Sequence, residues 1–299
     1  MGDIMYRSVF RPGLFAGRVV IVTGGGSGIG RCIAHELAAL GATPALVGRN
    51  PDKLRAVREE IAAAGGRAQD YACNIRDEAA VHELVAQVLR GHGRIDGLVN
   101  NAGGQFPAPL KDISAKGWEA VLQTNLTGGF LMARECLTQH MQGHGGAIVN
   151  IVADMWGGMP NMGHSGAARA GMVNFTETAA FEWSQYGVRV NAVAPGYVAS
   201  SGMDQYPAWM AGTIRAMPAT VPLGRFATEA EISSAVVYLL SEAAAFVTGV
   251  TLRVDGGRPN VRGGTQMPAP RNAAAPFDGF HLAVTPTVLQ AREGNDAGA

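Results

Sequence analysis

A glycine-rich turn near the N-terminus constrains the fold of this chain more than any other feature. Residues 23–30 read Thr-Gly-Gly-Gly-Ser-Gly-Ile-Gly, between the β-branched run Arg18–Thr23 and an amphipathic stretch that begins at Arg31. The N-terminus of a helix carries free N–H groups and about half a positive charge, and only glycines let a phosphate approach that backbone closely. The order of strand, turn and helix therefore predicts a dinucleotide-binding βα unit, with a ligand-free tight turn as the alternative.

Short apolar runs alternate with longer amphipathic stretches as far as Val254. The predicted strands are Arg18–Thr23, Thr43–Val47, Arg67–Cys73, Gly97–Asn100, Ala147–Val152, Val188–Ala194 and Thr251–Val254. This alternation predicts an α/β fold with a doubly wound, seven-stranded parallel sheet (a Rossmann fold) in a three-layer sandwich. We assign residues 1–258 to one dinucleotide-binding domain and residues 259–299 to a Pro/Gly/Ala-rich C-terminal extension, whose last nine residues we expect to be frayed.

Charge and composition exclude several classes of protein. The 24 Lys and Arg residues balance 24 Asp and Glu residues and are scattered, so no basic footprint for nucleic acid or an anionic membrane exists. Apolar runs fall far short of the ~20 residues of a membrane-spanning helix, and the N-terminus lacks the apolar core of a signal peptide. Cys32, Cys73 and Cys136 are widely spaced, which argues against disulfides and a zinc site. We expect a cytoplasmic protein with small-molecule partners and no metal.

The end of the second predicted strand indicates which dinucleotide is bound. Folds that bind NAD place an acidic residue there, which accepts hydrogen bonds from ribose hydroxyls. This chain has Arg49 and Asn50 at that point and no carboxylate. A guanidinium suits a 2′-phosphate, with which it forms charge-assisted, bidentate bonds. The sequence therefore favours NADPH (NADP⁺), the alternative being a surface arginine that pairs with Asp52.

Five motifs in order resemble the short-chain dehydrogenase/reductase superfamily over roughly residues 14 to 258. They are the glycine turn, Asn100–Gly103 after the fourth strand, Asn125 in the following helix, Pro195–Gly196 after the sixth strand and Val254–Gly257 after the seventh. Residues 74–76, 103–106, 116–118, 124–128 and 164–171 look more specifically like the peroxisomal trans-2-enoyl-CoA reductases, with the 2,4-dienoyl-CoA reductases as near relatives. The resemblance implies a CoA thioester as substrate.

The resemblance also implies which residues bind the cofactor. These are Gly24, Gly26, Ser27, Gly28, Ile29, Gly30, Arg49, Asn74, Ile75, Asn101, Ala102, Gly103, Arg169, Pro195, Gly196, Val198 and Ser200. Residues 74–75 would flank the adenine, residues 101–103 would run beside the ribose and phosphates, and residues 195–200 would border the nicotinamide. Two alternatives stay open, because residues 101–103 fit an ordinary loop and Ser200 or Ser201 fits a helix cap.

The catalytic positions depart from the usual pattern of the superfamily. Most members carry Tyr-x-x-x-Lys after the fifth strand, with an upstream Ser, whereas this chain has Ser165 and Arg169 there and Val152 and Ala153 upstream. A serine hydroxyl titrates far too high to exchange a proton with an alkoxide at neutral pH. Arg169 can hold a ribose as the usual Lys does, but it cannot shuttle protons. By resemblance, Asn125 orients a helix carbonyl and a water chain.

Conjugate reduction makes different demands, because hydride adds to Cβ and the charge develops on the thioester oxygen. Donors such as the Ser165 hydroxyl stabilise such an enolate. The sequence therefore predicts NADPH-dependent reduction of trans-2-enoyl-CoA thioesters, with Asn125, Ser165 and Arg169 as catalytic residues. One alternative is an NADP-dependent dehydrogenase of alcohols or carbonyls, of branched or terpenoid type, that uses Tyr197 or a water. The other is a non-catalytic NADP(H)-binding protein.

The group that protonates Cα is not singled out by the sequence. His164, Asp154 and Tyr197 all fall at the carboxyl ends of predicted strands, where such sheets bind ligands. The dienoyl reductases place a tyrosine just after the fifth strand, and this chain has Met155 and Trp156 there, which favours simple enoyl chains. All three titratable groups have structural alternatives.

Substrate binding and assembly rest on weaker patterns. An apolar stretch at Ser201–Pro222, with Met203, Tyr206, Trp209, Met210 and Met217, fits either an acyl-binding lid or core packing. Arg215 and Arg225 are candidates for a basic entrance for CoA, or surface residues. The predicted helix Ser165–Tyr186 has an apolar stripe that fits a subunit contact or a buried face. By resemblance we expect a homo-oligomer, a dimer or a tetramer.

Overall fold

The structure, a computed structural model, describes residues 5–261, Met267 and residues 274–290. All seven predicted strands are present and form one parallel sheet in the order β3-β2-β1-β4-β5-β6-β7. Their bounds are β1 Val19–Thr23, β2 Thr43–Gly48, β3 Gln69–Ala72, β4 Gly97–Asn100, β5 Gly146–Ile151, β6 Val188–Pro195 and β7 Thr251–Val254. The predicted α/β fold is confirmed.

Helices cover both faces of the sheet. They are α1 Gly28–Ala39, α2 Pro51–Ala63, α3 Glu78–His92, α4 Ala115–Leu122, α5 Gly128–Cys136, α6 Gln142–His144, α7 Gly163–Glu182, α8 Ala211–Ala216 and α9 Glu229–Leu240. Apolar side chains of α1, α2 and α9 pack on one face, and those of α3, α5 and α7 pack on the other. The sandwich therefore has the three layers that the sequence predicts. The inner strands are mostly apolar because both of their faces are buried, whereas the edge strands β3 and β7 are partly exposed and carry polar residues.

The direction of the strand order reverses at β1, which lies between β2 and β4. Open α/β sheets bind ligands in the crevice outside the carboxyl ends of the strands at such a point. The glycine turn follows β1, and the loop that starts at Asn101 follows β4. The topology therefore brings the two motifs together at the expected ligand crevice.

Two predicted elements end earlier than the sequence pattern indicates. β3 covers Gln69–Ala72 instead of Arg67–Cys73, since it is the edge strand and pairs only with β2. The helix predicted at Ser165–Tyr186 begins at Gly163 and ends at Glu182, followed by a 3₁₀ turn. Gly187, with φ of 68°, closes that turn, because glycine enters the left-handed region without strain.

The described part of the C-terminal extension packs on the domain. Phe280 is buried with Tyr6, Cys32 of α1 and Ala230 of α9. The last nine residues, predicted to be frayed, lie outside the described residues. Within the described ranges, no helix combines the length and the apolar content needed to cross a membrane.

Candidate cofactor and active site

The glycine turn has the geometry of a phosphate cradle. Gly24 and Gly28 have φ of 68° and 54°, a region that residues with a Cβ rarely enter. A Cβ on Gly30 would overlap the carbonyl oxygen of Gly24 and the Nδ2 of Asn101. Ser27 precedes α1 without capping it through its side chain. The first-turn N–H groups of α1 are therefore left for a ligand.

The loop after β4 is fastened to the end of β1. The Oγ1 of Thr23 accepts hydrogen bonds from the N–H groups of Asn101 and Ala102, at 3.0 and 2.9 Å. The Nδ2 of Asn101 donates to the carbonyl of Thr23 at 3.0 Å. Asn101 and Ala102 are therefore held in place at the edge of the crevice, and their contact with a cofactor stays a prediction.

Arg49 is exposed at the end of β2, beside the glycine turn. The alternative in which it pairs with Asp52 is wrong, because Asp52 binds Arg55 one helical turn further along α2. Lys53 lies on the same side, since a Cβ on Gly26 would be 3.2 Å from the Cβ of Lys53. Two basic residues therefore lie beside the glycine turn.

Three other predicted cofactor residues lie on the loops that follow β3 and β6. Asn74 is exposed after β3, while Ile75 is buried against Gly128. A Cβ on Gly196, which follows β6, would lie 2.7 Å from the Cα of Asp255.

The segment that follows β6 reaches the glycine turn. Val198 is buried and forms a bridge with Ala227. A Cβ on Gly28 would lie 4.0 Å from the Cβ of Ser200 and 3.7 Å from the Oγ of Ser201. Ser200 makes no capping bond through its side chain, so its capping alternative is not realised.

Ser165 is fully buried near the start of α7 and forms part of a hydrogen-bonded chain. Its Oγ donates to the Oε1 of Gln105 at 2.7 Å. The Nε2 of Gln105 donates in turn to the hydroxyl of Tyr206 at 2.6 Å. The sequence pattern gives Gln105 no role and places Tyr206 only in a candidate lid. Gln105 follows the Asn100–Gly103 motif almost directly in the sequence, and this position could have indicated a role in the site.

Arg169 carries a buried positive charge one helical turn beyond Ser165. Its Nη1 donates to the carbonyl of Ile151 at 2.6 Å, and its buried Nε has no partner within the described residues. Its Nη2 would lie 2.6 Å from a Cβ on Gly103. Burial lowers the pKa of Arg169 to about 10, so the guanidinium stays protonated at neutral pH.

Asn125 differs from the expectation that it orients a helix carbonyl. It lies in a π-helical segment, Gln123–Thr127, between α4 and α5. Its Oδ1 accepts from the N–H of Gly104 and its Nδ2 donates to the carbonyl of Gly104, each at 2.9 Å. The reason is chemical complementarity, because a side-chain amide matches both the N–H and the C=O of one backbone residue. Asn125 therefore fixes the loop that carries Gln105.

The three candidate proton donors all have other contacts. Asp154 pairs with Arg258 at 3.1 Å, and the same guanidinium lies over the ring of Tyr197. His164 is fully buried, and its Nδ1 accepts from the N–H of Ser165 at 2.8 Å. Its ring packs edge-on against Phe106 at 4.4 Å between centroids.

The apolar segment after β6 forms its own small core. Met203, Met210 and Ile214 are buried, and Trp209 is exposed. Tyr206, Met217, Val288 and Leu289 are among the side chains that pack against the three. This segment is therefore closed partly by the C-terminal extension.

Neither proposed entrance arginine is free in the structure. Arg225 forms a bidentate ion pair with Glu231 at 2.7 and 2.8 Å, and its guanidinium is thereby bound to the first turn of α9. The Nε of Arg215 donates to the carbonyl of Val288 at 2.9 Å. Both guanidinium groups therefore have partners within the protein, and their role at a CoA entrance stays a prediction.

Comparisons with known proteins agree with this geometry. A family model described as Enoyl-(Acyl carrier protein) reductase matches residues 24–258. A peroxisomal 2,4-dienoyl-CoA reductase of Danio rerio, which produces (3E)-enoyl-CoA, is 34% identical over 260 residues, covering 84% of this chain and 85% of the relative.

Two solved structures are similar over most of the chain. The citronellol catabolism dehydrogenase (AtuB) of Pseudomonas aeruginosa PAO1 is 57% identical, with a TM-score of 0.77, over 85% of this chain and 99% of that one. A protein of Beutenbergia cavernae with bound NADP at low occupancy is 36% identical, with a TM-score of 0.78, over 84% of this chain and 100% of that one.

A doubly wound sheet with a glycine cradle at its crevice is typical of a dinucleotide-binding domain, and the family match identifies it as an oxidoreductase of a family that binds a nicotinamide cofactor. With the family match, the chain belongs to the short-chain dehydrogenase/reductase superfamily.

Proposed function

We propose that this chain catalyses the NADPH-dependent reduction of the α,β double bond of trans-2-enoyl-CoA thioesters. The observation that carries this proposal is the pair of buried groups on α7, the hydroxyl of Ser165 and the guanidinium of Arg169. Hydride addition at Cβ leaves negative charge on the thioester oxygen, which hydrogen-bond donors and fixed positive charge stabilise. The pair suits that charge better than it suits proton exchange with an alcohol.

The crevice fits a nicotinamide dinucleotide carrying a 2′-phosphate. Cβ atoms would fill the space at Gly24 and Gly30, and the Nε of Arg169 is buried without a partner within the described residues. The first-turn N–H groups of α1 would bind the diphosphate, Arg49 and Lys53 the 2′-phosphate, and Arg169 the ribose next to the nicotinamide. When bound, the cofactor supplies the hydride.

Ser165 must change its hydrogen-bond partner to act on a substrate. Its proton is directed to Gln105 in this structure, and a thioester oxygen that enters the site competes for it. Asn125 meanwhile keeps the backbone of Gly104 in place through two hydrogen bonds. Such preorganisation is valuable because the donor then needs little rearrangement as the charge develops.

An NADP-dependent alcohol dehydrogenase of terpenoid type is the second candidate. The observation that favours it is the 57% identity with a solved citronellol catabolism dehydrogenase. The two candidates share the cofactor and differ in the atom that receives the proton. That atom is Cα for the enoyl thioester and the carbonyl oxygen for an aldehyde.

The proposal extends to assembly and location. Phe181 of α7 is 84% exposed, and the partly exposed Phe130 lies on α5. We propose that these side chains lie in the subunit contact of a homo-oligomer built on the two helices. The three cysteines are buried and free, which suits a reducing cytoplasm.

The proposed function is tested by NADPH oxidation with a medium-chain trans-2-enoyl-CoA. Ser165→Ala is compared with wild type and with Ser184→Ala, a matched control whose exposed hydroxyl donates to the carbonyl of Phe181. We expect kcat to fall ~100-fold or more in Ser165→Ala, because one oxyanion donor is worth ~2.7–4 kcal/mol. The control should keep full activity, and NADPH affinity should be similar in all three.

Each alternative has its own result in the same assay. Tight NADPH binding without turnover of enoyl-CoA of any chain length would overturn the proposal. Oxidation of a terpenoid alcohol with NADP⁺ would then identify the second candidate. Turnover of neither substrate class would identify a non-catalytic NADP(H)-binding protein.

A further inference from the structure

Gln105 connects a buried hydroxyl to a second, more accessible one. Its Oε1 accepts from Ser165 at 2.7 Å and its Nε2 donates to Tyr206 at 2.6 Å. The oxygen of Tyr206 is therefore an acceptor in this contact, so its own proton is free to point elsewhere. One amide group separates the two hydroxyls. A substrate whose carbonyl reaches Ser165 thus lies beside a phenol with an available proton.

Tyr206 also has the access that a proton donor needs. It lies directly after the 3₁₀ segment Ser201–Gln205 and is partly exposed. One side of the ring packs against the buried cluster of Met203, Met210 and Ile214. Packing fixes the ring, while exposure lets the hydroxyl regain a proton from water. Ser165 lacks this access, because it is fully buried.

The other titratable groups at this edge of the sheet are less suited. The carboxylate of Asp154 is held by Arg258, whose positive charge also covers the ring of Tyr197. His164 is fully buried between α7 and Phe106. His164 bonds only to the backbone N–H of Ser165 within the described residues, whereas Tyr206 is connected to the hydroxyl of Ser165 through the side chain of Gln105.

We propose that Tyr206 is the catalytic acid of this enzyme, in place of the tyrosine that Ser165 replaces on α7. The assignment rests on the proposed function. Hydride addition forms a C–H bond at Cβ, and the electrons of the double bond move to the thioester oxygen, where Ser165 donates to the enolate. The enolate then re-forms its C=O bond as Cα takes the proton of Tyr206. The resulting tyrosinate recovers a proton from water, so each turnover consumes one hydride and one proton.

The test compares Tyr206→Phe, which keeps the ring in the apolar cluster, with Tyr186→Phe as a matched control on the turn after α7. We expect kcat with an enoyl-CoA to fall ~100-fold or more in Tyr206→Phe, the usual contribution of a positioned acid. KM and the NADPH dissociation constant should change less than about twofold. The fall of kcat at high pH that marks loss of an acid should disappear from its pH profile. The control should behave as wild type.

Gln105→Ala provides an independent measurement, because it removes the link and leaves both hydroxyls. We expect an intermediate loss of kcat and an unchanged shape of the pH profile, since Gln105 positions the acid without being it. Normal kcat in Tyr206→Phe, or a loss that appears only in KM, would overturn the assignment.

The assay also separates the acid from the proposed function. If wild type reduces aldehydes but not enoyl-CoA, and Tyr206→Phe lowers kcat for aldehydes, the proposed substrate is wrong and the acid stands. If enoyl-CoA is reduced equally by wild type and variant, the function stands and the acid is wrong.

Discussion

The cofactor side and the substrate side of the crevice are held together in different ways. On the cofactor side, the turn at residues 23–30 is shaped by glycines, of which Gly24 and Gly30 leave no room for a Cβ. The backbone N–H groups of Asn101 and Ala102 bond to the Oγ1 of Thr23 at the start of that turn. On the substrate side, residues 201–222 are held by side chains from segments far apart in sequence, including the extension. Backbone geometry leaves a local motif in the sequence, and long-range side-chain packing leaves none.

The largest effect that would test this contrast is expected at Gly30, where a Cβ would overlap backbone oxygen and Asn101. Because backbone cannot give way easily, Gly30→Ala should lower the free energy of unfolding by about 3 kcal/mol. NADPH affinity should fall ~100-fold. Urea denaturation and fluorescence titration measure the two quantities. Gly143→Ala is the matched control, since a Cβ there meets nothing within 4 Å. Tight NADPH binding by Gly30→Ala would contradict the cradle.

A pH-dependent effect is expected from Glu229, at the start of α9, whose Oε1 would lie 3.7 Å from a Cβ on Gly28. Burial raises the pKa of Glu229 to about 7 from its ordinary 4.5. The folded state therefore favours the protonated carboxyl, and this contribution is complete below pH ~4.5 and is lost as the pH rises through ~7. Relative to wild type, Glu229→Gln should gain about 3 kcal/mol of stability between pH 4 and pH 8.

Denaturation of both proteins across that pH range measures this difference. Glu119→Gln, on the exposed surface of α4, is the control and should show the pH profile of wild type. A constant offset between Glu229→Gln and wild type would contradict the buried carboxyl. Its position beside the turn also predicts that the wild type binds the anionic cofactor more weakly as the pH rises through this range.

A smaller effect is expected at Arg49, which contributes to the cofactor side only through its side chain. Arg49→Ala should weaken NADPH binding ~30-fold, about 2 kcal/mol for a charge-assisted contact. NADH binding should not change, because NADH lacks the 2′-phosphate. Arg55→Ala, a nearby exposed arginine that pairs with Asp52, is the matched control. Equal losses of affinity for NADPH and NADH in Arg49→Ala would show that Arg49 does not bind the 2′-phosphate.

The same difference between local motifs and long-range side-chain contacts determines how much could be predicted from the sequence. The bounds of Gly97–Asn100 and Thr251–Val254 were predicted to the residue. The first is a fully buried apolar run, as central parallel strands are, and the second is a half-buried run bounded by glycines. The bond between Gln105 and Ser165 joins residues 60 apart, and no periodicity encodes such a contact. The role of Asn125 could not be predicted either, because it depends on a π-helical segment that the sequence pattern does not distinguish from α-helix.

The C-terminal extension links the two sides, and it lies beyond the region that the family model matches. At one end, the carbonyl of Phe277 accepts from the hydroxyl of Thr228, and the carbonyl of Leu282 accepts from Arg31 of α1. At the other end, Val288 and Leu289 pack in the apolar cluster of the substrate side. Because the extension contacts both sides, it can stabilise the cofactor side or the substrate side. A truncated protein shows which of the two depends on it.

We expect removal of residues 277–299 to affect the substrate side more than the cofactor side, and to change binding less than Arg49→Ala does. The cofactor turn is fixed by its own backbone, whereas the segment at residues 201–222 loses the packing of Leu289 and the bond from Arg215 to Val288. KM for the substrate should rise ~5-fold, about 1 kcal/mol for one lost hydrogen bond, with NADPH affinity unchanged. Removal of residues 291–299 alone is the control and should alter neither. A loss of NADPH affinity with normal KM would contradict this prediction, because it would show that the extension stabilises the cofactor side through its contacts with α1.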